Sequence, residues 1–150
     1  MNTKFVKTTL LKAVLLLLAS GITFQLSQAQ QVPAKTVSPK IEVVYFHAPN
    51  RCPTCVANET QTKQVLEKHF KAEIASGQVS FVSLDLKEDK NKVLVEKYEI
   101  VFPTLLILKK QGSAEVKTDY TNTAFDYAFN EPEKYEKLLQ AEILKQLNSK

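Results

Sequence analysis

The sequence predicts an α/β sandwich with a mixed central sheet flanked by helices. Short apolar segments rich in β-branched and aromatic residues recur along the chain, as they do in buried strands. Segments with helical periodicity stand between and after them. The resulting order is strand, loop, two cysteines, helix, strand, short helix, two strands and a closing helix. A strand–crossover–strand unit followed by a hairpin and a helix is typical of this fold class.

The chain of 150 residues is long enough for one domain with a substantial core and too short for two ordinary ones. Its composition, 44% hydrophobic and 24% charged, is that of a globular protein. We divide it into a signal peptide (residues 1–29), an extended linker with two prolines (residues 30–40) and one folded domain (residues 41–150).

The first 29 residues have the features of a secretory signal. Lys4, Lys7 and Lys12 precede an unbroken apolar run over residues 13–19, and Ser27-Gln28-Ala29 offers small residues to a signal peptidase. We therefore expect cleavage after Ala29 and an exported protein, periplasmic in a Gram-negative bacterium and otherwise secreted. The alternative is an uncleaved membrane anchor, because the apolar stretch is nearly long enough to span a bilayer.

The net charge of +4 does not indicate nucleic-acid binding. Without the three leader lysines, 17 basic and 16 acidic residues remain. A protein that neutralises phosphates should keep a clustered excess of positive charge. The sequence therefore predicts no nucleic-acid partner.

The first half of the domain reads as strand, loop, helix and strand. Ile41–Phe46 is nearly continuously apolar, as a strand buried on both faces should be. Helical periodicity runs from Pro53 to Ser76, where Gly77 is a natural terminating residue. The expected buried positions of this helix are Leu66, Phe70 and Ile74. A second strand is expected over Val79–Leu86.

The second half reads as a short helix, a hairpin and a helical end. The expected elements are a helix at Lys92–Tyr98, strands at Thr104–Leu108 and Ala114–Thr118, a helical turn around Ala124–Phe129 and a long helix from Pro132. The buried face of the last helix is expected at Tyr135, Leu139, Ile143 and Leu147.

Cys52 and Cys55 are the only cysteines of the chain. In an exported protein two cysteines often form a structural disulfide, and that alternative stays open. A bridge across two intervening residues, however, constrains the unfolded chain little, so its entropic contribution to stability is modest. The spacing therefore favours a chemical role.

The junction of a buried strand and a helix suits a redox dithiol. Cys52 falls at the helix N-terminus, where unpaired N–H groups and the helix dipole favour a thiolate, and Arg51 adds a positive charge beside it. Cys55 lies one turn further on and is expected to be less exposed. We interpret Cys52 as the nucleophile and Cys55 as the resolving thiol.

Metal binding is a second alternative for the same cysteines. Two thiolates can hold Cu(I), and His47 could add a nitrogen ligand. A closed zinc site needs four protein ligands, and the chain has two cysteines and two histidines. We assign no metal site and expect no cofactor.

Two separated motifs resemble the thioredoxin-like superfamily. One is the strand and CxxC of residues 45–55 (YFHAPNRCPTC), and the other is the segment of residues 98–108 (YEIVFPTLLIL). The resemblance covers Ile41 to about Lys117. It implies a thioredoxin-like sandwich and thiol–disulfide exchange with protein substrates or a redox partner protein.

The second motif implies a substrate-binding loop. In this superfamily a cis-proline precedes a strand and faces the disulfide. Carried over, Pro103 is cis, Phe102 and Thr104 flank the dithiol, and the backbone of Val101 and Phe102 receives the substrate chain. Arg51 is grouped with these substrate-binding residues. Pro103 could also be trans and simply begin the strand, although the cysteine pair favours the cis isomer.

The chain departs from thioredoxins proper at two positions. Tyr45 stands where they carry a buried acid, and Arg51 stands where they carry a tryptophan; this chain has no tryptophan. These departures suggest slower or more specialised exchange than that of a general protein-disulfide reductase.

A second resemblance is to a small bacterial family named as a nitrophenyl-compound nitroreductase subunit. It is carried by Arg51-Cys52-x-x-Cys55, by residues 121–125 (TNTAF) and by residues 132–134 (PEK). The family name implies a redox accessory role. No flavin or nicotinamide motif is recognisable in the sequence.

The sequence therefore predicts an exported thiol–disulfide oxidoreductase that uses Cys52, Cys55 and the Pro103 loop. The alternative is a binding module, either a Cu(I) carrier or an accessory redox subunit that docks through the same surface. The sequence does not determine whether clients are oxidised, reduced or isomerised.

Overall fold

The computed structural model describes residues 40–149. The expected signal peptide and the linker up to residue 39 lie outside the described residues. The elements are β1 (Ile41–His47), α1 (Pro53–His69), α2 (Lys71–Ala75), β2 (Val79–Asp85), a 3₁₀ turn (Asp89–Asn91), α3 (Lys92–Lys97), β3 (Thr104–Gln111), β4 (Ala114–Asp119), α4 (Thr121–Tyr127) and α5 (Pro132–Asn148).

The four strands form one mixed sheet in the order β2-β1-β3-β4. β1 runs parallel to β2 and antiparallel to β3, and β3 and β4 form an antiparallel hairpin. Gly112 turns this hairpin with a φ of +61°, a conformation that glycine adopts without steric cost. The predicted fold class, an α/β sandwich with a mixed sheet, is confirmed.

β1 is the central strand and is buried on both faces, which explains its nearly continuous apolar sequence. Ile41, Val43 and Tyr45 face the core that α1, α4 and α5 cover. Val44 and Phe46 face a smaller cluster built with residues that follow α3 and residues of β3. The end of β1 is therefore held firmly from both sides, at the point where the loop to α1 begins.

The first helix is shorter than predicted. α1 ends at His69, and Phe70 leaves the helical region with a φ of −126° before the short helix α2 begins. Phe70 is fully buried, whereas Ile74 is 39% exposed, so the expectation that Ile74 is a core residue is wrong. The break at Phe70 separates α1 from α2, which has no buried residue. Gly77 ends α2 with a φ of +73°, as predicted.

The closing helix α5 covers the core as predicted. Tyr135, Leu139 and Ile143 are fully buried, and Leu147 packs against them. α4 precedes it as a helix of two turns and begins three residues earlier than expected. Within residues 40–149, no helix has the length and apolar character needed to cross a membrane.

Candidate redox site

The two cysteines lie where the loop after β1 enters α1. They form a disulfide with a Cα–Cα distance of 5.1 Å. Cys52 is exposed and Cys55 is 6% exposed. An external sulfur can therefore approach Cys52 far more easily than Cys55, which is the asymmetry that the sequence predicts.

The start of α1 directs a backbone N–H at the sulfur of Cys52. Cys52 is the N-cap residue of α1, and the N–H of Cys55 donates to its Sγ at 3.2 Å. Pro53 occupies the first helical turn, where a missing N–H removes no helical hydrogen bond. N–H donors and the positive end of the helix dipole both favour negative charge on a sulfur at this position.

Tyr45 is hydrogen-bonded to the backbone of Cys55. Its side chain is fully buried in β1, and its Oη donates to the carbonyl of Cys55 at 3.1 Å. Burial raises the pKa of Tyr45 above its ordinary value and outweighs the opposing effect of the positive charge on Arg51. The position at which thioredoxins carry an acid therefore holds a neutral hydroxyl that fixes the backbone of Cys55.

Arg51 does not stand alone beside the disulfide. Its guanidinium forms an ion pair with Glu59 of α1 and lies 5.9 Å from the centre of the Tyr45 ring. Glu59 also binds Lys63 at 2.8 Å. Burial by itself raises the pKa of Glu59, but hydrogen bonds and positive charge from Lys63 and Arg51 outweigh it and hold the pKa below its ordinary value. Glu59 is therefore an ionised carboxylate.

Glu59 was not among the site residues predicted from the sequence. The sequence feature that could have identified Glu59 is its spacing. Glu59 follows Cys55 by four residues and precedes Lys63 by four, which places the three residues on neighbouring turns of one helix face.

Two buried polar side chains follow Cys55 along α1, and they were not predicted from the sequence either. Asn58 and Thr62 are fully buried, and the Thr62 hydroxyl donates to the carbonyl of Asn58 at 2.6 Å. The same hydroxyl lies 2.7 Å from the Tyr135 hydroxyl of α5. In the amide orientation that satisfies its neighbours, Asn58 donates to the carbonyl of Ala124 in α4 at 2.8 Å. Hydrogen bonds thus connect α1, which carries the two cysteines, to α4 and α5.

The Pro103 segment lies at the same edge of the sheet as the dithiol. Thr104 is the partner of Phe46 in the β1–β3 register, so the residues before Thr104 lie near the end of β1. Val101 and Phe102 are 82% and 56% exposed. Thr104 is buried, and its hydroxyl donates to the Phe102 carbonyl at 2.8 Å, across Pro103. The structure brings together the edge that carries the dithiol and the segment expected to receive substrate.

The expectation that Pro103 is cis is wrong, because residues 40–149 contain no cis peptide bond. A trans bond before proline is favoured by about 0.5–1 kcal/mol unless other contacts select cis. Here Pro103 precedes the first residue of β3, a position where its missing N–H removes no ladder hydrogen bond. This is the strand-initiating role that the sequence also allowed.

His47 ends β1, and its Nδ1 donates to the carbonyl of Ala48 at 3.1 Å. In the part of the chain that the structure describes, no three His, Cys, Asp or Glu side chains group together as metal ligands would.

No protein-family profile matches the chain, and no curated protein matches it. Solved structures of thioredoxins do match. A thioredoxin from Thermus thermophilus is 19% identical, with 71% of this chain and 76% of that chain covered and a TM-score of 0.45. The germline-specific thioredoxin Deadhead from Drosophila melanogaster is 21% identical, with 67% and 78% covered and a TM-score of 0.41. Thioredoxin-2 of a malaria parasite is 22% identical, with 57% and 74% covered and a TM-score of 0.40.

The resemblance to a nitroreductase subunit finds no support among these matches. Independently of them, residues 40–149 carry a mixed four-stranded sheet flanked by helices and a close CxxC pair at the junction of the central strand and a helix. These are the features of a thioredoxin-like fold.

Proposed function

We propose that this chain is an exported thiol–disulfide oxidoreductase that acts on protein thiols, protein disulfides or a redox partner protein. The observation that carries the proposal is the disulfide at the start of α1, with Cys52 exposed, Cys55 buried and a backbone N–H directed at the Cys52 sulfur. Such a sulfur is open to attack and is a good thiolate leaving group.

The reaction is a two-electron exchange through a mixed disulfide. When the protein oxidises a client, a client thiolate attacks Cys52 Sγ, the Cys52–Cys55 bond breaks, and Cys55 leaves as a thiolate that takes up a proton. A second client thiolate then attacks the client sulfur of the mixed disulfide and releases the Cys52 thiolate. The client is oxidised to a disulfide and the protein is reduced to a dithiol. Reduction of a client follows the same steps in reverse.

The exposed Val101 and Phe102 support the proposal for the client-binding surface. Both side chains are open to solvent at the sheet edge that carries the dithiol, and exposed apolar side chains beside a reactive group suit an extended, partly apolar client segment. Arg51, Pro103 and Thr104 complete this surface.

The cysteine roles are tested by trapping. Cys55→Ser, mixed with a client that carries a disulfide, should accumulate a mixed disulfide on Cys52 that is visible as a shifted band on a non-reducing gel, because the Cys52 thiolate attacks the client disulfide and no second thiol of the protein releases it. Cys52→Ser should form no such adduct and should lose exchange with a model disulfide substrate. Equal exchange by wild type and Cys52→Ser, with both shown to be folded by circular dichroism, would refute the proposal.

Export is tested separately by the mass of the mature protein. Expression of the full chain should yield a form that begins at Gln30, whereas an intact leader on the accumulated protein would refute cleavage after Ala29.

A further inference from the structure

A chain of three charged side chains runs from the dithiol along α1. Arg51, directly before Cys52, pairs with Glu59, and Glu59 pairs with Lys63. Because Glu59 follows Cys55 by one helical turn, its carboxylate lies on the neighbouring turn of α1. The three side chains alternate in sign, and the negative one stands between two positive ones.

The ion pairs of Arg51, Glu59 and Lys63 are more shielded from solvent than an ordinary surface ion pair. The side chain of Glu59 is only 12% exposed, whereas that of Lys63 is half exposed. Arg51 is also held by its contact with the Tyr45 ring. Partly buried charges are screened less by solvent and salt than exposed ones, so they act more strongly on a neighbouring sulfur.

The ion pair limits what Arg51 can do for Cys52. A free guanidinium beside a thiolate stabilises it by its full positive charge. A guanidinium bound to a carboxylate is largely neutralised, and the carboxylate also opposes negative charge on either sulfur. Other titratable groups on the elements that meet at the site are Tyr45 and His47 of β1, Asp85 of β2, which is opposite His47, and Lys63 of α1, while residues 101–104 supply none.

We propose that Glu59 is a positioning residue that sets the redox potential of the Cys52–Cys55 pair, by fixing Arg51 and offsetting its charge on the Cys52 thiolate. The redox role rests on the proposed function. In this scheme Arg51 stabilises the reduced form, and Glu59 stabilises the disulfide relative to the reduced form. The two charges therefore have opposite effects on the redox potential.

Loss of either member of the Arg51–Glu59 ion pair should shift the redox potential, and the two shifts should have opposite signs. Glu59→Gln keeps a hydrogen-bond partner for Arg51 but removes the negative charge, so the Cys52 thiolate gains stability and the protein becomes more oxidising. Arg51→Gln removes the positive charge, so the thiolate loses stability and the protein becomes more reducing. A structural role for the pair would change stability in both variants but would not move the potential in opposite directions.

The experiment measures the equilibrium of the purified protein with glutathione and the thiolate absorbance at 240 nm as a function of pH. At a fixed glutathione potential, we expect Glu59→Gln to lower the ratio of disulfide to dithiol about threefold relative to wild type, and Arg51→Gln to raise it about threefold. Each change corresponds to a shift in redox potential of about 14 mV for a two-electron couple. The apparent pKa of the Cys52 thiol should fall in the first variant and rise in the second. Glu67→Gln, an exposed acid two turns further along α1, is the matched control and should change neither.

Two further measurements keep the result interpretable. Arg51→Lys retains the charge and should return most of the wild-type potential. In 1 M salt, where the Debye length is about 3 Å, the differences between variants should shrink.

Shifts of the same sign in Glu59→Gln and Arg51→Gln, or shifts no larger than in Glu67→Gln, would overturn the proposal. Neither measurement uses a protein client, so failure of client turnover would count against the proposed function and leave this inference standing.

Discussion

Tyr45 is the single residue that most separates this site from a site with a buried acid. Its phenol is neutral at physiological pH, because the ordinary pKa of tyrosine is already about 10 and burial raises it further, and its hydroxyl donates to the carbonyl of Cys55. A neutral donor orders the first turn of α1 but accepts no proton from the resolving thiol. Tyr45 therefore does not serve as the base that deprotonates Cys55.

Replacing Tyr45 by phenylalanine should cost stability without reshaping the pH profile. The substitution removes one buried hydrogen bond, which typically contributes about 0.5–1.5 kcal/mol, so we expect the free energy of unfolding to fall by that amount and the urea midpoint to fall with it. The pH dependence of exchange between pH 6 and 9 should keep its shape, because the phenol does not titrate there. Tyr127→Phe, which is only partly buried, is the control. Loss of a titration step in Tyr45→Phe alone would contradict this account.

Phe102 is exposed beside the dithiol edge, and Phe129 is equally exposed elsewhere on the chain. We expect Phe102→Ser to lower kcat/KM for a protein client about tenfold, mainly through KM, because the substitution removes apolar contact area that only a bound client covers. Exchange with a small disulfide such as oxidised glutathione should change little.

Phe129→Ser provides the matched control, since its side chain is 53% exposed against 56% for Phe102. A similar loss in both variants would mean that the effect is not local to the proposed client surface.

At the scale of the element, α1 is an unusual core helix because polar side chains occupy part of its buried face. Cys55, Asn58 and Thr62 stand on that face together with Val65 and Leu66. Every polar side chain buried in this row finds a partner, which is the condition under which burial costs little. The row gives α1 one fixed rotation against α4 and α5, and the rotation of α1 decides which cysteine faces solvent.

Thr62→Val tests this row with almost no change of shape. The substitution leaves the Tyr135 hydroxyl without its partner in a fully buried position, so we expect a loss of about 1–3 kcal/mol in the free energy of unfolding. Thr60→Val is the matched control on the exposed face of the same helix and should stay within about 0.5 kcal/mol of wild type. Equal urea midpoints for the two variants would show that the Thr62 hydrogen bond contributes nothing.

At the scale of the whole molecule, buried tyrosines and paired glutamates set the pH range of stability. Burial raises the pKa values of Tyr45, Tyr98 and Tyr135, and raises that of Tyr120 to about 12. Hydrogen bonds and positive charge from nearby lysines outweigh burial at Glu59 and Glu115, and hold their pKa values below the ordinary value.

We expect the free energy of unfolding, as far as these groups decide it, to be level from about pH 5 to 10. Above about pH 10 the unfolded chain releases tyrosine protons that the folded chain retains, so stability falls as pH rises through the raised pKa values. Below about pH 4.5 the carboxylates bind protons in the unfolded chain but stay ionised in the folded chain. Stability therefore falls as pH falls through the lowered pKa values of these carboxylates.

Urea midpoints measured across this range check both limbs. On the alkaline limb, most of the tyrosinate absorbance at 295 nm should appear together with the loss of circular dichroism. A full rise in that absorbance while the protein remains folded would contradict the expected burial of the four tyrosines.

The parts of this structure that were predictable from sequence are those with strong local patterns. β1 and α5 bury continuous or regularly spaced apolar residues, so their positions follow from periodicity. The site of the dithiol follows from the CxxC spacing at a strand–helix junction. The break at Phe70 did not follow, because a fully buried aromatic residue fits a continuing helix equally well and only tertiary packing decides.

The contacts around the dithiol were harder to predict than the dithiol itself. Glu59 follows Arg51 by eight residues, and the start of α1 at Pro53 brings the two side chains together. The isomer of Pro103 was inferred from a family resemblance and not from its neighbours. The local sequence alone is compatible with either isomer, since the intrinsic difference is about 1 kcal/mol or less.

The central position of β1 has a consequence for the order in which the molecule folds. The β3–β4 hairpin closes through the few residues around Gly112 and can form within microseconds. β1, in contrast, pairs only with strands that are distant in sequence, since Ile41 is opposite both Val79 and Lys109. Closing such long loops is entropically costly and slow. The strand that ends at the dithiol is therefore expected to join the sheet late, so that recovery of thiol reactivity would mark the final step of refolding.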